Sequence, residues 1–246
     1  GIDQNLWIWE PADYSRNYMI SADVARGDGK DFSTFHIFDV ESFKQVGEYR
    51  GQLTTTEFGH LLVGIATEYN NALLAVENAS IGWSTIQTII DRGYQNLYYT
   101  PKGSNVTSYF DPVMDTSRMT AGFNLNQQNR PVAIGKFQEA MRDRSAIVYS
   151  SRLFEEMKVF VWKNGRAEAQ TGYNDDLVMA FSIGCYLRDT SFKLRQQGMD
   201  MSRSILNSIN TTSNPYAGGY MNSSNNNQFN IPNPYGNGSE DISWLL

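Results

Sequence analysis

Tyr18-Met-Ile-Ser-Ala-Asp-Val-Ala-Arg-Gly-Asp-Gly-Lys30 is the stretch on which the reading of the fold turns. Small and apolar residues lead into Asp23, and the chain then breaks at Gly27-Asp28-Gly29. Phe32-Ser-Thr-Phe-His-Ile-Phe-Asp-Val40 follows, with the aromatic and β-branched content of a strand. This pattern predicts a hairpin whose first strand carries a carboxylate near the turn. An Asp is disfavoured inside a strand and costs free energy if buried unpaired. Either Asp23 faces water from an edge strand or something compensates it, and a metal ion is the leading candidate.

Two further stretches favour compensation. Asn71-Ala-Leu-Leu-Ala-Val-Glu-Asn-Ala-Ser80 is a short apolar run, typical of a strand buried on both faces, and it ends in Glu77. Gly172-Tyr-Asn-Asp-Asp-Leu-Val-Met-Ala-Phe-Ser-Ile-Gly-Cys185 puts Asp175 and Asp176 at the start of an apolar helix. Three acidic positions, each opening or closing a buried element, are poorly explained as solvated charge.

Working outward, residues 1–16 read as an irregular lead-in, and the abrupt start suggests a piece cut from something longer. Strands are expected at about 18–25, 33–40 and 44–50, an antiparallel meander. Thr54-Thr-Thr-Glu57 is a capping box opening a helix to about Asn70. The strand 72–77 then sits where a parallel crossover belongs. A second helix ends at Gly93, and Leu97-Tyr-Tyr-Thr100 is a fifth strand. Residues 101–130 are polar and too long for a simple connection, hence a functional loop over the site. A helix starting at Pro131 follows, then a hairpin turning at Asn164-Gly165, then the helix from Asn174. That order is the ribonuclease H-like α/β fold: a mixed sheet of five or more strands, antiparallel then parallel, flanked by helices. The domain is expected over 17–195, and 196–246, rich in Asn, Ser, Tyr and Gly, as a flexible tail.

Composition narrows the function classes. Apolar residues make up 41% of the 246, and the net charge of −6 argues against a general polyanion-binding surface while allowing a local basic patch. A single Cys185 precludes an internal disulfide and fits a reducing compartment. No run is long and apolar enough to span a membrane. Gly27-Asp-Gly-Lys30 lacks the spacing of a phosphate loop, so no nucleotide-binding motif is present. His36 and His60 are the only histidines, and both read as structural. Clustered carboxylates repel one another without a cation, and hard divalent ions take oxygen ligands. Two such ions stabilise the attacking and leaving oxygens of phosphodiester hydrolysis. The expected activity is a metal-dependent nuclease with water as nucleophile.

Ser21-Ala-Asp-Val-Ala-Arg-Gly-Asp-Gly-Lys-Asp-Phe-Ser33, Leu74-Ala-Val-Glu77-Asn78 and Gly172-Tyr-Asn-Asp-Asp-Leu-Val-Met-Ala180, in that order, resemble the C-terminal nuclease domain of the large terminase subunit of T4-like tailed bacteriophages. The likeness covers roughly residues 15–190. It implies cutting of concatemeric double-stranded viral DNA during genome packaging, in the host cytoplasm and transiently at the procapsid portal vertex. It also implies an N-terminal ATPase domain, absent here, with the portal and the small terminase subunit as partners. By carry-over Asp23, Glu77 and one of Asp175 and Asp176 are the catalytic metal ligands for Mg²⁺ or Mn²⁺, with two ions. Of the last pair, Asp175 is expected to be the inner ligand. Many relatives have His where Asn174 stands. Arg26, Lys30, Lys102, Lys136, Arg142 and Arg144 are the DNA-contact candidates. Two alternatives stay open: another ribonuclease H-like nuclease such as a junction resolvase, and a non-catalytic portal or DNA docking module.

Overall fold

The computed structural model describes residues 5–27, 29, 31–79, 81–101, 119–163, 165–188, 230–232 and 239–241. In chain order the first elements are Leu6–Ile8 (β1), Tyr18–Asp23 (β2), Ser33–Asp39 (β3), Lys44–Gly51 (β4), Thr55–Glu68 (α1), Leu73–Val76 (β5) and Gly82–Asp91 (α2). Then come Tyr99–Pro101 (β6), Met119–Ala121 (β7), Asn129–Arg142 (α3), Ser151–Val159 (α4), Phe160–Lys163 (β8), Arg166–Ala169 (β9) and a helix over 176–188 (α5). The chain divides into two compact units, Gly1–Gln196 and Gln197–Leu246. In the second, Asn230–Pro232 (β10) and Ser239–Asp241 (β11) pair antiparallel. The rest of the expected tail lies outside the described residues.

The main sheet runs β1-β4-β3-β2-β5. β2, β3 and β4 form the expected antiparallel meander, and β5 joins β2 in parallel, giving the mixed ribonuclease H-like sheet. Two details differ from the sequence reading. Residues 6–8, expected to be irregular, extend the sheet by pairing with β4. The expected fifth strand attaches to β5 only through the isolated bridge Leu74↔Leu97, and its ladder is with β7. Of the long segment foreseen as a loop, residues 102–118 lie outside the described residues.

Strand periodicity sorts the core. Successive side chains point to opposite faces. Tyr18, Ile20, Ala22, Leu74 and Val76 join Phe58 and Leu62 of α1 and Ile86 and Ile89 of α2 in one apolar cluster. Met19, Phe38 and Ala75 join Phe137 of α3, Leu153 of α4 and Leu177 and Phe181 of α5 in another. Counting by twos along the same strands places Ser21, Asp23 and Glu77 on the α5 face. The capping box at the start of α1 forms: Glu57 N–H donates to Thr54 Oγ1 at 3.3 Å and Thr54 N–H to Glu57 Oε2 at 3.0 Å. That helix therefore begins where the sequence says it should, and the crossover delivers β5 alongside β2.

Candidate active site

Asp23 ends β2 and Glu77 follows β5. Their strands are in register through Ala22↔Val76, and Glu77 N–H donates to Ala22 O at 2.9 Å. The two carboxylates therefore emerge side by side at the carboxyl ends of neighbouring parallel strands, on one face. Gly82 opens α2 directly against the Glu77 carbonyl oxygen, where any Cβ would overlap it. Glycine there lets the crossover fold tightly behind the acidic residue. The other side of Glu77 is fixed by Phe123, whose N–H donates to Val76 O at 2.7 Å and whose carbonyl accepts from Asn78 N–H at 2.9 Å.

Asp23 is partly exposed, yet its pKa is raised well above the ordinary carboxylate value. Burial is the first cause, the charge of Glu77 the second, and a hydrogen bond shared with Glu77 the third, with Asp176 and Asp175 adding to the repulsion. Two touching carboxylates in a desolvated site do not both ionise readily. The pair needs a proton or a cation.

α5 supplies the remaining acids in two different settings. Asp176 Oδ2 accepts from Phe32 N–H at 3.0 Å and from Asn174 Nδ2 at 3.1 Å, and its carbonyl accepts from Thr34 Oγ1 at 2.9 Å. Burial raises its pKa, those bonds oppose the rise, and Asp31 and Asp175 reinforce it. Asp175 instead meets Arg130 of α3: Nη2 lies 3.2 Å from Asp175 Oδ2 and 3.3 Å from Ala167 O. Of the two, Asp176 acts on Asp23 more strongly. Among the described residues, the Asp175 carboxylate is tied to a cationic side chain and that of Asp176 to neutral donors.

The donor set suits a hard divalent cation: carboxylate oxygens, with burial first and mutual repulsion second raising the pKa of Asp23, and Arg130 as the one neutralising partner among these contacts. Among the described residues no three acidic, His or Cys side chains yet surround a single point. Asp175 is engaged with Arg130 at 3.2 Å.

Two cavities border the cluster. One of about 520 Å³ is lined by Glu77, Arg130, Trp162 and Arg166 among others. The second, about 500 Å³, is lined by Val24, Arg26, Asp31 and Asp176 among others. Of the DNA-contact candidates, Arg26 thus stands at the site, and Lys30 and Lys102 lie outside the described residues. Lys136, Arg142 and Arg144 are not gathered there. Lys136 pairs with Glu139 at 3.1 Å and Arg142 with Asp143 at 3.0 Å. At ~1.5 Å per residue, Arg142 is on the order of 18 Å along α3 from Arg130. His36 is structural: it is fully buried, its pKa is lowered by that burial, and its ring nitrogens meet Leu177 O at 3.0 Å and Gln45 Nε2 at 2.8 Å. His60 is exposed on α1.

Sequence reasoning missed Arg130, Asp31 and Glu156. Glu156, on α4, is buried, and its Oε2 accepts from Leu177 N–H at 2.8 Å and Val178 N–H at 3.3 Å. Burial pushes its pKa up to about 8 against the opposing charge of Arg50. In the sequence only Asp31 carried a signal, by its closeness to Asp23. The other two arrive through tertiary packing.

Fold and site define a class: a ribonuclease H-like sheet with acidic side chains at the carboxyl ends of its two parallel strands, β2 and β5. Among solved structures, the chain is similar to the large terminase nuclease from thermophilic phage G20c, at 14% identity and TM-score 0.56, over 72% of this chain and 86% of that one. The same nuclease with bound magnesium gives 14% identity and TM-score 0.57, over 74% and 87%. The Thermus phage P74-26 large terminase nuclease domain gives 16% and 0.53, over 72% and 83%. At these identities the likeness is one of fold, and it does not single out the T4-like group to which the motifs pointed. No family model matches the sequence.

Proposed function

We propose that this chain is a divalent-metal-dependent endonuclease of a viral DNA-packaging motor, cutting concatemeric double-stranded DNA by hydrolysis. The observation that carries the reading is the Asp23–Glu77 pair, side by side on parallel strands, where burial and the neighbouring Glu77 raise the pKa of Asp23 and favour a bound cation. The terminase-nuclease fold likeness supports it. Mg²⁺ or Mn²⁺, as two ions, would supply the positive charge that stabilises attacking and leaving oxygens. Asp23 and Glu77 would hold that charge from the sheet, Asp175 would be the third ligand, and Asp176, its Oδ2 already accepting two hydrogen bonds, orients the start of α5.

Arg26, Arg130 and Arg166 line the cavities beside the acids and are the side chains proposed to meet DNA phosphates there. Lys30 and Lys102 remain candidates, and Lys136, Arg142 and Arg144 would touch DNA only away from the cut. An N-terminal ATPase domain, the portal and the small terminase subunit are the proposed partners, met in the host cytoplasm and at the procapsid vertex. The test is plasmid cleavage. Supercoiled DNA should be nicked and linearised with Mg²⁺ or Mn²⁺ and no ATP, with little sequence preference. Activity that survives EDTA or requires ATP would sink the reading.

A further inference from the structure

α5 begins in an unusual way. Asp175 immediately precedes the first helical residue, and its carbonyl accepts the first intrahelical bond, from Met179 N–H at 2.8 Å. That is the N-cap position, where an Asp side chain ordinarily folds back to accept from the N–H groups two and three residues on. Here those N–H groups belong to Leu177 and Val178, and Glu156 of α4 has taken both, at 2.8 and 3.3 Å. The Asp175 carboxylate points elsewhere, to Arg130 at the cavity it shares with Glu77.

Glu156 is held in turn. Its Oε1 lies 3.7 Å from Arg50 Nε, too long for a hydrogen bond, so the two are linked by charge alone. The Arg50 guanidinium sits 4.1 Å over the ring of Phe32, and Phe32 N–H donates to Asp176. One buried carboxyl on α4 thus meets both the start of α5 and the strand lead-in that clamps Asp176.

We propose that Glu156 is a positioning residue for the acidic site: by capping α5 in place of Asp175, it keeps the Asp175 carboxylate turned toward the cleft. The proposal rests on the metal-dependent reading above for its functional consequence, but not for its structural one. Removing Glu156 leaves two bare N–H groups within reach of the adjacent Asp175. Asp175 then folds back onto them, restores the cap, and leaves the site. A purely structural Glu156 predicts the opposite pattern, with lost stability and an unchanged site.

The experiment compares the whole chain as wild type, Glu156→Ala and Glu156→Gln. A crystal structure of metal-free Glu156→Ala should show Asp175 accepting from Leu177 or Val178 N–H with its Arg130 contact broken. Isothermal titration with MnCl₂ should show a Kd weakened by about tenfold or more in Glu156→Ala, as for loss of an outer-sphere partner. Glu156→Gln retains a carbonyl oxygen at the cap and should restore wild-type affinity. In thermal melts, Asp175→Ala should lower Tm little when Glu156 is present and by several degrees more in the Glu156→Ala background, the signature of a cap that has changed hands. An unfolded Glu156→Ala, an Asp175 still on Arg130, or equal effects of Asp175→Ala in both backgrounds would overturn the proposal. A wild type that binds no Mn²⁺ would sink the nuclease reading instead, with the crystal structure still deciding the capping claim.

Discussion

The two faces of the central sheet are built on different principles. Against α1 and α2 the contacts are almost wholly apolar, from Ile20 and Phe35 to Leu62 and Ile86. Against α5 the apolar cluster around Phe181 is threaded by directed bonds to the helix backbone. Thr34 Oγ1 donates to Asp176 O at 2.9 Å, His36 meets Leu177 O at 3.0 Å, and Ser21 Oγ donates to Ala180 O at 2.6 Å. Gly184 lets the helix sit close, since a Cβ there would press into the Phe38 ring. Apolar burial is non-directional and fixes a helix only loosely along its axis. Hydrogen bonds to several carbonyls along one side of the helix fix its register. The face on which Asp175 and Asp176 stand is the face that carries such bonds.

The largest expected effect lies on the plain face. Leu62→Ala deletes a fully buried side chain and should lower stability by ~2–5 kcal/mol. Chemical denaturation would show this, while any Mn²⁺-induced rise in Tm stays unchanged. A loss of the metal response along with stability would mean that the two faces are not separable.

Next in size is a pH effect from the α5 face. Glu156 titrates near 8 in the fold, against 4.5 ordinarily, so the folded chain keeps a proton that the unfolded chain has lost. The sign follows: this contribution is fully present below about 4.5 and is lost as pH rises through about 8. Asp23 and Asp176, also raised, act in the same direction. Metal-free Tm should therefore fall across that window, by the equivalent of a few kcal/mol, and fall less steeply in Glu156→Gln. A Tm that climbs from pH 5 to 8 would contradict the assignment.

The smallest change in stability should come from Thr34→Val, which removes one bond to the α5 backbone. Its cost should be ~1 kcal/mol. Plasmid nicking should nevertheless fall more than it does for Leu62→Ala at a temperature where both variants are folded. Equal activity in the two would show that register at α5 does not matter to the site.

What was legible in the sequence follows the same division. The capping box Thr54–Glu57, the hairpin after Asp23, and the run ending in Glu77 are local patterns, and each forms where its residues indicate. Position on a strand then suffices to put Asp23 and Glu77 together, because pairing and period-2 alternation leave no other face. β1 was hidden because three residues, Leu6–Ile8, carry too little periodicity to read, and only β4 makes them a strand. The different settings of Asp175 and Asp176 were hidden for a stronger reason. Asp175 meets Arg130 on α3, 45 residues away, and Asp176 accepts from Phe32 N–H, 144 residues away, while Glu156 on α4 caps Leu177 from 21 residues away. The N–H groups of Leu177 and Val178 at the start of α5 are occupied by Glu156. No local rule reaches that far.

The central claim is that the Asp23–Glu77 pair is crowded in order to take up a divalent cation. Thermal melting at pH 8, with and without excess MnCl₂, compares wild type with Asp23→Asn. A ligand at about 100 times its Kd adds ~2.7 kcal/mol to the folded state, so the Tm of the wild type should rise by several degrees. Metal-free Asp23→Asn should be at least as stable as the wild type, having lost a buried repulsion, and should gain nothing from Mn²⁺. A wild type indifferent to Mn²⁺, or an Asp23→Asn variant that gains as much as the wild type does, would contradict the account.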